Sequence, residues 1–169
     1  MRPARRTFTD KQQLADALAE AVAADLKAGI KARGAASLAV SGGTTPVAFF
    51  AALSARADVD WDKVTVTLVD ERWVDETSER SNARLVRANL LKGRAALARF
   101  VPLYQGGPEP DAMRASAAQA AVPAPLDAAI LGMGNDGHTA SFFPGGDTLG
   151  EALTAEGPVI AIRAPGAGE

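Results

Sequence analysis

Residues 35–50 read AASLAVSGGTTPVAFF. Ala35–Val40 is a short apolar run of strand length, Ser41–Pro46 packs two glycines, three hydroxyl side chains and a proline together, and Val47-Ala48-Phe49-Phe50 is apolar again. A buried strand that leaves through such a loop and enters a helix begins a βα unit. Pro46 suits a first helical turn, because the N–H it lacks would be unpaired there anyway. The loop has the composition of an anion cradle: glycines let backbone N–H groups come close, Thr44 and Thr45 add hydroxyls, and the helix N-terminus is electropositive. The same composition also serves as an ordinary helix cap. It is not a Walker A loop, since no Lys-Ser/Thr follows the glycines.

Working outward, Leu14, Leu18, Val22, Leu26 and Ile30 fall four apart between Asp10 and Gly34, which predicts a long opening helix. Downstream the unit recurs. Val64–Val69 reads as a strand, Ser81–Leu91 as a helix, Phe100–Tyr104 as a strand, Asp111–Ala121 as a helix and Leu126–Leu131 as a strand. A short helix over Thr139–Phe143 and a last strand at Val159–Ile162 complete the reading. Strands alternating with helices predict an α/β fold, a doubly wound, mostly parallel Rossmann-like sheet flanked by helices, in a single domain over residues 1–169.

The chain has 169 residues, 47% apolar and 22% charged, which is the composition of a globular domain. Its 18 Lys and Arg against 20 Asp and Glu give a net charge of −2, so nothing draws it globally to nucleic acid or acidic membranes. Any anion must be held by a local site. With no cysteine there are no disulfides or thiolates, as suits a cytoplasmic protein. Charges interrupt every apolar run well before the roughly 18 residues of a membrane span. The basic start Met1-Arg2-Pro3-Ala4-Arg5-Arg6 leads into an amphipathic segment with Asp16, Glu20 and Asp25 rather than a signal-peptide core.

In a parallel sheet all strands exit at one edge, where ligands bind. That edge gathers Ser41–Pro46, Asp70–Trp73 and Gly132–His138. In the second loop Arg72 is suited to a phosphate or a developing oxyanion, with Asp70 and Glu71 to orient it, although a solvated charge cluster has the same composition. The third holds His138, the sole histidine, beside Asp136 and framed by Gly132, Gly134 and Gly137. Free imidazole titrates at about 6.5, so a neutral His138 is suited to take a proton from water and return it. A metal site is disfavoured, since only carboxylates remain to accompany one histidine. Gly132–Gly137 also matches G-x-G-x-x-G, but it lies late in the chain and no strand-terminal acid follows at the spacing a dinucleotide site requires.

Four segments together resemble the 6-phosphogluconolactonase family: SGGTTP at 41–46, VDERWV at 69–74, SERSNARLVRANLL at 78–91 and LGMGNDGHTASFFPG at 131–145. The resemblance implies a cofactor-free, metal-free hydrolase of the oxidative pentose phosphate pathway acting on 6-phospho-D-glucono-1,5-lactone. It implies His138 as general base, Arg72 at the substrate, and Gly42, Gly43 and Thr44 near its phosphate. Ser41, Thr45, Asp70, Glu71 and Gly137 complete the expected substrate-side set, Asp136 helps to hold the His138 loop, and Ser81 and Asn82 position the loop bearing Arg72. The expected partner is a small phosphosugar lactone bound by a monomer. The related glucosamine-6-phosphate deaminases share a similar glycine loop and the DGH triplet but resemble IAFNEPG after it, where this chain has Thr139–Gly145, TASFFPG. A sugar-phosphate-binding protein without catalysis is the other reading, motivated by the Gly/Pro-rich ending Ala164–Glu169, which predicts a chain short at its C-terminus relative to the family.

Overall fold

The computed structural model describes residues 4–164; the first residues of the basic N-terminal stretch and Pro165–Glu169 of the C-terminal ending lie outside them. Helix α1, Lys11–Arg33, starts where Asp10 accepts the Gln13 N–H and stops at Gly34, whose φ of 79° is the left-handed conformation a C-terminal glycine supplies. Then come β1 (Ala36–Val40), α2 (Val47–Ser54), β2 (Val64–Leu68), α3 (Asn82–Asn89), β3 (Arg99–Val101), α4 (Ala112–Gln119), β4 (Ala128–Ile130) and α5 (Leu149–Ala152). Short 3-10 turns at Trp61–Lys63 and Gly93–Leu97 were not legible from periodicity.

The four strands are parallel in the order β3-β2-β1-β4. Strand order therefore reverses beside β1, whose neighbours are β2 and β4, and this is the switch point at which doubly wound sheets open a crevice. Val40 is in register with both Leu68 and Ile130, so the loops after β1, β2 and β4 leave the sheet side by side. Successive side chains in a strand point to opposite faces. Leu38, Val40, Val66 and Leu68 form one face and pack with Leu26 of α1, Phe50 and Leu53 of α2 and Val86 of α3 into the main core. The other face carries buried Ser37, Thr65 and Thr67, and Thr67 Oγ1 lies 2.8 Å from Gln119 Oε1 of α4. Helices thus cover both faces.

Several boundaries and two elements differ from expectation. The fourfold spacing in α1 does not keep one face, because four residues overshoot a 3.6-residue turn by about 40°. The stripe drifts, leaving Leu14 44% exposed, while Ala15, Ala19, Val22, Ala23, Leu26 and Gly29 form the buried side. Thr139–Phe143 is not a helix but a pair of turns, broken by Ala140 at a left-handed φ of 48°. Val159–Ile162 joins no sheet; Asp147 holds the end of this segment instead, its Oδ1 accepting the Arg163 N–H at 2.7 Å. No described helix is long and apolar enough to cross a membrane.

Candidate functional site

The loop after β1 is open to a ligand. Among the side chains of Ser41–Pro46 none caps α2, whose N-cap is Pro46, so the capping alternative fails and the hydroxyls of Thr44 and Thr45 stay exposed. Gly43 has a φ of 85°, a conformation that favours glycine, and the Ser41 N–H donates to the Ile130 carbonyl at 3.1 Å, tying the loop to the end of β4.

The loop after β2 is fixed by the start of α3. Ser81 is the N-cap, accepting the Arg84 N–H at 3.1 Å, and Glu71 reaches across to accept the N–H groups of Asn82 and Ala83, each at 2.8 Å, and the Ser81 hydroxyl at 3.3 Å. Glu71 therefore anchors a helix N-terminus, where a carboxylate is favoured, and is not positioned to orient the Arg72 guanidinium as expected from sequence. Burial pushes its carboxyl above the ordinary value against the opposing pull of these N–H donors. Arg72 is oriented by neutral acceptors: its Nη1 donates to Asn82 Oδ1 at 2.7 Å and to the Arg80 carbonyl at 2.9 Å.

Asn82 is the hub of the site. It is 2% exposed, and its Nδ2 donates to the Asp70 carbonyl at 3.0 Å and to Asp70 Oδ1 at 3.3 Å. It also presses on the first loop: a Cβ on Gly42 would lie 1.7 Å from Asn82 Oδ1, so only glycine fits there. The positioning role expected of Ser81 and Asn82 is carried by these bonds. Asp70, expected at the substrate, spends its carboxylate on Asn82 and on Ser141, whose Oγ donates to Asp70 Oδ2 at 2.7 Å.

The loop after β4 is a tight glycine turn, with Gly134 N–H donating to the His138 carbonyl at 2.8 Å and Gly137 at a φ of 87°. Asp136 Oδ1 lies 2.5 Å from His138 Nδ1, and that bond holds the Asp136 carboxyl below the usual carboxylate range. An ionised Asp136 accepts from Nδ1–H, which leaves the lone pair on Nε2. Phe143 stacks on the imidazole with ring centroids 4.1 Å apart, and a Cβ on Gly134 would come within 2.4 Å of Nδ1. Ser141 and Phe143 were missed as site residues; nothing in their types or spacing marks a contact made by a loop.

Residues of all three loops, among them Gly42, Thr44, Arg72, Asn82 and His138, line one open cleft of about 1840 Å³ that also takes in Arg80. The parallel sheet opens this cleft at its switch point, where doubly wound α/β proteins bind ligands, and His138 stands on its lining. The model of the glucosamine-6-phosphate isomerases/6-phosphogluconolactonase family matches residues 9–169, and the chain belongs to that family. It is 59% identical over 166 residues to a 6-phosphogluconolactonase of Rhizobium meliloti, covering 96% of this chain and 71% of the relative. With a 6-phosphogluconolactonase of Mesorhizobium japonicum the identity is 55%, covering 96% of this chain and 69% of that one. The crystal structure of a 6-phosphogluconolactonase from Shewanella baltica superimposes with a TM-score of 0.88 at 41% identity, covering 94% of this chain and 68% of that chain. These relatives place the chain among the lactone hydrolases of the family.

Proposed function

We propose that this chain hydrolyses 6-phospho-D-glucono-1,5-lactone to 6-phosphogluconate, the lactonase step of the oxidative pentose phosphate pathway, with His138 as general base. The observation that carries the assignment of the base is the Asp136–His138 pair, with Oδ1 and Nδ1 2.5 Å apart and His138 on the lining of the cleft, an arrangement that leaves the Nε2 lone pair to take a proton from water. His138 removes a proton as that water attacks the C1 carbonyl of the lactone. The tetrahedral oxyanion is stabilised by backbone N–H groups or by Arg72, whose guanidinium is held at one nitrogen by Asn82 and retains further donors. Collapse breaks the bond between C1 and the ring oxygen, and the imidazolium returns its proton to that oxygen.

The uncapped N-terminus of α2, with Ser41, Gly42, Gly43, Thr44 and Thr45, takes the substrate phosphate. Gly137, at a φ of 87°, shapes the turn that presents His138 on the substrate side. The enzyme works in the cytoplasm, in keeping with its lack of cysteine. The test sets two substrates side by side. Hydrolysis of fresh 6-phosphogluconolactone above its spontaneous opening, with no ammonia released from glucosamine 6-phosphate, is the expected result. Ammonia release without lactone hydrolysis would select the deaminase, and phosphosugar binding with no turnover of either would select a binding protein.

A further inference from the structure

We infer that the hydrogen bond from Ser141 Oγ to Asp70 Oδ2 is a mooring that sets the position of the catalytic base, so that Ser141 and Asp70 are positioning residues for His138. The inference rests on reading His138 as the base. The bond spans 71 positions of sequence at 2.7 Å. Its other end is fixed, because Asp70 is gripped twice by the buried Asn82 carboxamide, through its carbonyl and through Oδ1.

The case turns on what else holds the His138 loop. Among the described residues, the other hydrogen bonds of residues 132–146 stay within the segment or reach only the turn that follows it: Gly134 to His138, Gly137 to Gly134, Thr139 Oγ1 to the Gly132 carbonyl, Phe142, Phe143 and Gly146 to carbonyls within the segment, and the Leu149 N–H to the Gly146 carbonyl at 3.3 Å. Asp136 is part of the same loop, so it orients the imidazole within the loop but does not place the loop in the site. Among the described residues, Ser141 alone carries a hydrogen bond from this segment to the loop that bears Arg72.

The mooring point is also close to the imidazole. Ser141 follows Ala140, held at a left-handed φ of 48° that a residue with a Cβ adopts only when its surroundings impose it. The Ser141 carbonyl accepts the Phe143 N–H at 2.9 Å, and the Phe143 ring lies against the imidazole. Releasing the hydroxyl frees the segment that carries Phe143, and with it the face on which His138 rests. A shift of about 1 Å in a reacting group is enough to lower a rate by up to about 10²-fold.

A single histidine makes the test direct, since the labelled imidazole gives one Cε1–H resonance in a heteronuclear NMR spectrum. In Ser141→Ala the expected result is a displaced or broadened His138 resonance and a kcat lowered about 10-fold, with KM changed by less than about 2-fold. Ser141→Thr keeps the hydroxyl and restores both. Adding Ser141→Ala to Asp70→Ala lowers kcat no further, because the two side chains share one bond and Asp70→Ala already removes it. A wild-type resonance and kcat in Ser141→Ala, a loss that Ser141→Thr does not repair, multiplying losses in the double variant, or outright unfolding of Ser141→Ala would each overturn the mooring. Failure of the base assignment is distinguishable, because it appears as activity retained in His138→Ala and leaves the resonance comparison intact.

Discussion

Asn82 accepts the Arg72 guanidinium on its Oδ1 at 2.7 Å while its Nδ2 donates to the Asp70 carbonyl at 3.0 Å, so one buried carboxamide holds both Asp70 and Arg72 in the loop after β2. The same oxygen abuts Gly42 in the loop after β1. Replacing Asn82 with alanine leaves Arg72 and Asp70 each short of a partner and opens space beneath Gly42. The expected outcome is a loss of about 1–3 kcal/mol in unfolding free energy, read from urea melts, with kcat/KM for lactone hydrolysis falling at least 10-fold as Arg72 loosens.

Gly42→Ala approaches the same contact from the other side. Its Cβ would sit 1.7 Å from Asn82 Oδ1, so either the phosphate loop or the Asn82 side chain must give way. Because the loop is assigned to binding, the change should appear mainly as a raised KM, with destabilisation of about 1–3 kcal/mol. Steady-state kinetics beside thermal unfolding checks this, and an unchanged KM would remove the phosphate role from that loop.

These two residues also show what the sequence carried and what it did not. The order of strands and helices, the parallel sheet and the convergence of three polar loops followed from alternating apolar runs and from Gly34, Pro46 and the glycines after β4. The cap at Asp10 and the stop at Gly34 were legible because both are local chemistry. Asn82 as a hub was not, nor was the use of Glu71 on a helix N-terminus, since each depends on which segments the fold brings together. Thr139–Phe143 failed as a helix for the same reason: Ser141 is engaged by a carboxylate from another loop. The motif residues marked the three loops that meet at the cleft, and the contacts between those loops were not legible in them.

Glu71 gives a pH dependence with a definite sign. Burial raises its carboxyl above the ordinary 4.5, so across the interval between its unfolded and folded values the native chain holds the extra proton. Stability contributed by that proton is present at acid pH and is lost as pH rises through the folded value. Glu71→Gln should therefore flatten the pH dependence of the urea midpoint in this interval. It should also lower stability at neutral pH by about 1–3 kcal/mol, because the amide keeps one oxygen and so places a donor against one of the Asn82 and Ala83 N–H groups, which are accepted by different carboxylate oxygens. Urea titrations of both proteins from about pH 4 to 7 check the two effects, and parallel curves would contradict the assignment.

Asp136→Asn keeps an oxygen near Nδ1 but removes the charge that selects the tautomer and supports the imidazolium. The expected result is a kcat reduced about 10²-fold with KM little altered. Equal losses in binding of 6-phosphogluconate, measured by calorimetry, would instead make Asp136 a residue of the binding loop.

The most direct measurement is hydrolysis of freshly prepared 6-phosphogluconolactone, corrected for spontaneous opening, by the wild-type chain and by His138→Ala at equal folded concentration. The sole imidazole carries the proposed chemistry, so the wild type should exceed the spontaneous rate and the variant should lose at least about 10²-fold in kcat while still binding 6-phosphogluconate. Wild-type turnover in His138→Ala would contradict the account.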